Sequence, residues 1–94
     1  MSSLPNRSAA PPPVFNCIVY VARPDAAGLV IARVANLAAI QGRGKSEREA
    51  ISQAVAAFKA EVAARVAASE AIPWINPPPP LPPGESERLI AVHL

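Results

Sequence analysis

Proline decides where this chain can be regular. All but Pro24 of its twelve prolines fall in two blocks, one in "MSSLPNRSAAPPP" and one in "PWINPPPPLPPG". Proline fixes φ and carries no N–H, so neither block can enter a helix interior or a central strand. Regular structure is therefore confined to residues 14–72 and to the segment after Gly84. The block at 73–84 reads as an extended, polyproline-like connector between them. Docking on an SH3-type domain is the other reading of such a run, and its position favours spacing the chain back to its core. Residues 1–13 read as a disordered Ser/Pro-rich tail.

Between the blocks two periodicities succeed one another. "VFNCIVYVA" is β-branched and aromatic over most of its length and predicts a strand, and "LVIARVA" predicts a second. "RPDAAG" joins them with the residue types that turn a chain, so 14–35 reads as a hairpin. Both strands are apolar at nearly every position, which asks for a helix on one face and leaves the other for a partner. "LAAIQ" is a short third strand and "GRG" a flexible connector. From Glu47 the period changes: Ile51, Val55, Phe58, Val62 and Val66 trace one helical stripe, widened by Ala50, Ala54 and Ala57. The helix runs to Ser69 or Glu70, where Pro73 stops it, and its second half is expected to overhang a small sheet. "RLIAVHL" closes the chain as a last strand. The expectation is an α+β fold in the order β-β-β-α-β, with one helix on an antiparallel three- to four-stranded sheet, forming a single domain over 14–94.

A chain of 94 residues holds one small core, and a core this size raises the expectation of a homo-oligomer. The net charge of +2 is too small to point to nucleic acid. One cysteine, Cys17, excludes an intrachain disulfide, and its apolar setting reads as a buried thiol. With His93 the sole histidine, metal sites and Cys–His catalysis have almost no material, and no cofactor is expected. No run of eighteen apolar residues exists, so a membrane-spanning helix is not expected. As a signal-peptide core "VFNCIVYVA" is short, broken by Asn16 and preceded by prolines, which makes a cytoplasmic location the expectation.

The stretch "AAIQGRGKSEREA" carries two chemistries. Ala39 to Ser46 fits a relaxed phosphate-binding loop, in which backbone N–H groups, Lys45 and Ser46 would hold a nucleotide and magnesium. Against it stand Ala39 in place of the first glycine, the lack of a strand ending in an acid, and the preceding hairpin where a parallel sheet is needed. The other reading is a helix cap. Ser46 accepts from the Glu49 N–H, and Glu49 returns a bond to the Ser46 N–H, with Gly44 leading into the turn. Arg43, Lys45 and Arg48 around that end are either an anion site on the helix N-terminus or solvated charges. Trp74 and Ile75, an apolar pair between prolines, are either a core plug or an interface anchor.

"VANLAAIQGRGKSEREA" resembles the motif of the HicB family, antitoxin partners of HicA toxins, whose line reads "V-P-x-L-P-G-x-x-x-x-G-x-T-x-x-E-A". Val34, Leu37, Gly44 and Glu49-Ala50 match, and Ser46 stands where Thr is usual. The hairpin before it, the alanine-rich helix, "IPWINPPP" and the closing strand follow the same layout over residues 15–94. The family's "L-P-G" is Leu37-Ala38-Ala39 here. The resemblance implies a reduced ribonuclease H-like fold and a protein that occludes a basic, RNA-cleaving HicA-like toxin. The DNA-binding segment that many relatives carry has no counterpart up to Leu94, so no direct DNA binding is expected. Ribonuclease H chemistry needs carboxylates converging on metal from the first strand onward, and "VFNCIVYVA" has none, so the expectation is not an enzyme. The residues proposed to meet a partner are Arg33, Asn36, Arg43, Lys45, Arg48, Trp74 and Ile75, with Gly44, Ser46 and Glu49 as the structural cap. The alternative is a stand-alone homo-oligomeric structural or sensing domain with no toxin.

Overall fold

The computed structural model describes residues 13–94. The expected tail, apart from Pro13, lies outside them. Strands β1 (Val14–Val21), β2 (Val30–Val34), β3 (Gln41–Gly44) and β4 (Ser86–His93) and one helix, α1 (Glu47–Ala67), follow in the order β-β-β-α-β. The strands form one antiparallel sheet with spatial order β3-β2-β1-β4, and α1 packs on one face of it. The fold is α+β, as the sequence pattern predicts.

Period-two alternation assigns the faces. Cys17, Val19 and Val21 of β1 point to the helix with Val30, Ala32 and Val34 of β2, and all six are buried. The opposite face carries Asn16, Ile18 and Tyr20 of β1, Ile31 and Arg33 of β2, and Glu87, Leu89, Ala91 and His93 of β4. No polar or charged side chain is buried among the described residues.

The third strand is not "LAAIQ" with a flexible "GRG" behind it. Residues 35–39 turn, Ala39 takes a left-handed φ of 65°, and "QGRG" is the strand itself. The reason is helix proximity. A Cβ at Gly42 would run into the Ala50 carbonyl and the Ala54 amide, so the helix backbone lies directly on β3 and only glycine fits beneath it. The same closeness rotates the buried stripe onto Ala50, Ala54, Phe58 and Val62. Ile51 and Val55 are left half-buried, Ala57 is exposed, and Val66 is 45% exposed where the helix overhangs.

Nor does Pro73 stop the helix. Ser69 adopts φ 57°, the Ser69 N–H donates to the Val66 carbonyl at 3.1 Å, and the Glu70 N–H donates to the Arg65 carbonyl at 2.8 Å. These bonds form a Schellman motif that satisfies the last carbonyls before any proline is reached. The helix ends at Ala67, two to three residues earlier than the pattern suggests, and spans ~32 Å.

The proline segment is a strap. Trp74 wedges between Phe15 and Phe58, with ring centroids 6.0 and 5.9 Å away. The Ile75 N–H then donates to the Asn36 carbonyl at 3.0 Å. Beyond it the chain crosses the face opposite the helix, where the Tyr20 hydroxyl donates to the Pro79 carbonyl at 2.5 Å and Glu85 pairs with Arg33 at 2.8 Å. Tyr20 is buried by this crossing. The face expected to meet a partner is thus partly covered by the chain itself over β1 and β2. The strap delivers β4, which begins at Ser86, two residues before "RLIAVHL".

Candidate partner-binding surface

The seven residues proposed from sequence separate into two groups. Asn36, Trp74 and Ile75 meet at one end of the sheet and line a cleft of about 380 Å³ together with Val14, Asn16 and Pro78. Arg33 stands on β2, where Glu85 pairs with it, while Arg43, Lys45 and Arg48 lie at the opposite end of the sheet from the cleft, around the start of α1.

Asn36 is already bonded on both sides of its amide. Its Oδ1 accepts from the Ile18 N–H at 3.1 Å and its Nδ2 donates to the Asn16 carbonyl at 2.8 Å. The side chain acts as one more peptide unit of β2, continuing the ladder on β1 after the main chain has turned away. With the Ile75 N–H on its carbonyl, Asn36 fixes the inner wall of the cleft. Trp74 packs its inner face on Phe15 and Phe58 yet stays 39% exposed, so one ring both fills a gap beside the core and presents apolar surface at the cleft. Arg33 is engaged by Glu85 through two bonds, 2.8 and 3.4 Å, which pin the strap on the sheet.

At the other end, the cap differs from the reciprocal box in one bond. The Glu49 N–H donates to Ser46 Oγ at 3.1 Å as expected, but the Glu49 carboxylate accepts from the Lys45 N–H at 2.7 Å, one residue earlier than Ser46. Gly44 explains the reach, because a Cβ there would meet the Glu49 side chain from Cβ to Oε1. Glycine, serine and glutamate therefore work as a unit: Gly44 leaves room, Ser46 caps, and Glu49 folds back over both. The anion at this helix N-terminus is the chain's own carboxylate. Residues 41–44, which a phosphate-binding loop would wrap around a nucleotide, are instead extended and paired with β2, and the Arg43 N–H donates to Gln53 Oε1. The side chains of Arg43, Lys45 and Arg48 make no ion pair among the described residues, whereas Arg88 is held by Glu47 at 2.8 Å.

Cys17 is fully buried, and burial pushes its thiol from 9.0 up to about 12. It stays protonated and chemically quiet at neutral pH. Among the described residues no three His, Cys, Asp or Glu side chains gather where they could hold a metal ion, and no helix is long and apolar enough to cross a membrane. The sequence reading passed over Val14, Asn16 and Leu89. Strand alternation was the available signal, since it places all three on the face away from the helix with Ile18. No family model, no curated protein and no solved structure matches this chain.

Proposed function

We propose that this chain is a non-catalytic protein-binding domain of the HicB-like antitoxin type, acting in the cytoplasm to neutralise a HicA-like RNA-cleaving toxin by covering its active site. The observation that supports this reading most is the sheet-to-helix junction. Of the residues that carry the resemblance, Gly44, Ser46 and Glu49 form one interlocked cap at the start of the only helix among the described residues, in the order β-β-β-α-β. Neutralisation of this kind needs shape and blocked access alone. A basic toxin is the wrong sign for Arg43, Lys45 and Arg48, so the contact surface in this reading is the cleft of Asn36, Trp74 and Ile75, with its exposed rim at Val14.

The test is co-expression with a toxin-type protein encoded beside this chain. Capture in a pull-down together with restored growth is the expected result, and Val14→Glu, an exposed substitution that spares the core, should weaken capture at least about tenfold. A chain that neither binds that protein nor rescues the cells defeats the proposal. The stand-alone reading keeps one observation of its own, a β4 edge that pairs with no other strand among the described residues.

A further inference from the structure

The sheet ends in two unlike edges. β3 is four residues long, contains Gly42 and Gly44, and presents Arg43 with Lys45 just beyond it. Short, glycine-bearing and cationic, it has the features that discourage pairing. β4 has none of them. It pairs with β1 through eight consecutive residues, Val14↔His93 to Val21↔Ser86, with no bulge and no proline. Its one cation, Arg88, pairs with Glu47 on the helix side and also donates to the Glu87 carbonyl, a bond that strand pairing at that position displaces. Leu89 stands on it 72% exposed, the most exposed large apolar side chain among the described residues.

The register can be read from the inner ladder. The Leu94 N–H donates to the Pro13 carbonyl, so the even-numbered residues of β4 direct their backbone groups at β1. Antiparallel alternation turns those of Glu87, Leu89, Ala91 and His93 outward. A two-fold axis through Arg88 would set two guanidinium groups opposite each other. An axis through Leu89 places Glu87 against Ala91, and one through Ala91 places Leu89 against His93. With the axis at Ile90, all four outward residues pair. Leu89 faces Ala91, the two Leu89 side chains meet diagonally across the axis, Ile90 faces Ile90 on the helix side, and each Glu87 carboxylate faces the imidazole of the other copy's His93. Glu87 makes no ion pair within the monomer among the described residues.

We propose that two copies of this chain join antiparallel through their β4 edges about an axis at Ile90, forming one continuous eight-stranded sheet. The occupant is a second copy because only a self-complementary strand sets Glu87 on His93 twice and buries both Leu89 side chains. This interface is independent of the antitoxin reading.

The full chain should sediment at twice its 9.8 kDa mass at micromolar concentration and dissociate on dilution. Ala91→Pro removes an outward N–H that the monomer does not use, and Leu89→Lys charges the centre of the interface. Each should raise the dimer Kd at least about tenfold while circular dichroism stays that of the folded monomer. Glu87→Lys should weaken the dimer, and adding His93→Glu should restore it, which a merely apolar contact would not do. A wild-type chain that is monomeric throughout overturns the proposal. So does a dimer indifferent to both β4 variants, or one lost instead in an Arg43→Pro variant of β3. A chain that associates only with a different protein overturns it as well, and failure of the charge exchange overturns the register.

Discussion

Ala39 holds a backbone shape that its side chain opposes. At φ 65° the Cβ of an L-residue crowds the following carbonyl, a cost of about 1–2 kcal/mol that glycine avoids. The position is also the one where the HicB-like motif has glycine. Ala39→Gly should stabilise the protein by about 0.5–1 kcal/mol once the added freedom of the unfolded chain is deducted. Thermal melting would show it as a rise of a few degrees, and an unchanged or lower Tm would mean the turn is shaped by something else. Sequence alone marks Ala39 as a mismatch but cannot give its φ. The same holds for Asn36: a polar letter between apolar ones reads as a surface contact, and only the fold shows both halves of its amide occupied by β1.

At the scale of elements, the helix was legible and its phase only in part. A step of three and four picks out Ile51, Val55, Phe58, Val62 and Val66, and Phe58 and Val62 are buried as it expects, yet alanine counts weakly in any apolar pattern, and in the first turns Ala50 and Ala54 are buried in place of Ile51 and Val55. They win because Gly42 lets the helix backbone rest on β3, where a larger residue has no space. β3 itself was hidden for the same reason, since two glycines in four residues read as loop rather than strand. Gly42→Ala should therefore cost on the order of 2–3 kcal/mol, because the colliding atoms are backbone and the whole helix must lift. Chemical denaturation measures it directly. A loss below about 0.5 kcal/mol would show that the helix does not depend on this approach.

For the molecule as a whole, the order β-β-β-α-β, the antiparallel sheet and the helix cap followed from periodicity and turn residues, while the strap and the edges did not. A proline run declares that it is extended but not which surface it crosses, and that is set by distant partners such as Tyr20 with Pro79 and Arg33 with Glu85. The sealed core also has a pH signature. Cys17 keeps its proton in the folded state up to about 12, against 9.0 ordinarily, so between those values the folded protein binds a proton that the unfolded chain releases. The associated stability is fully present below pH 9 and drains as pH rises through that window, by up to about 1.4 kcal/mol per unit. Denaturation at successive pH values should show a steeper alkaline loss in the wild type than in Cys17→Ala, and parallel curves would refute it. One last bond has a practical reach. Because the Leu94 amide is tied to the Pro13 carbonyl, the chain enters and leaves the fold at a single corner, beside the cleft of Trp74 and Val14. Anything fused directly after Leu94 starts beside that cleft and at the tip of β4. A fluorophore or affinity handle meant to leave both surfaces open belongs at the other end of the sheet, in the exposed turn between β1 and β2 around Ala26.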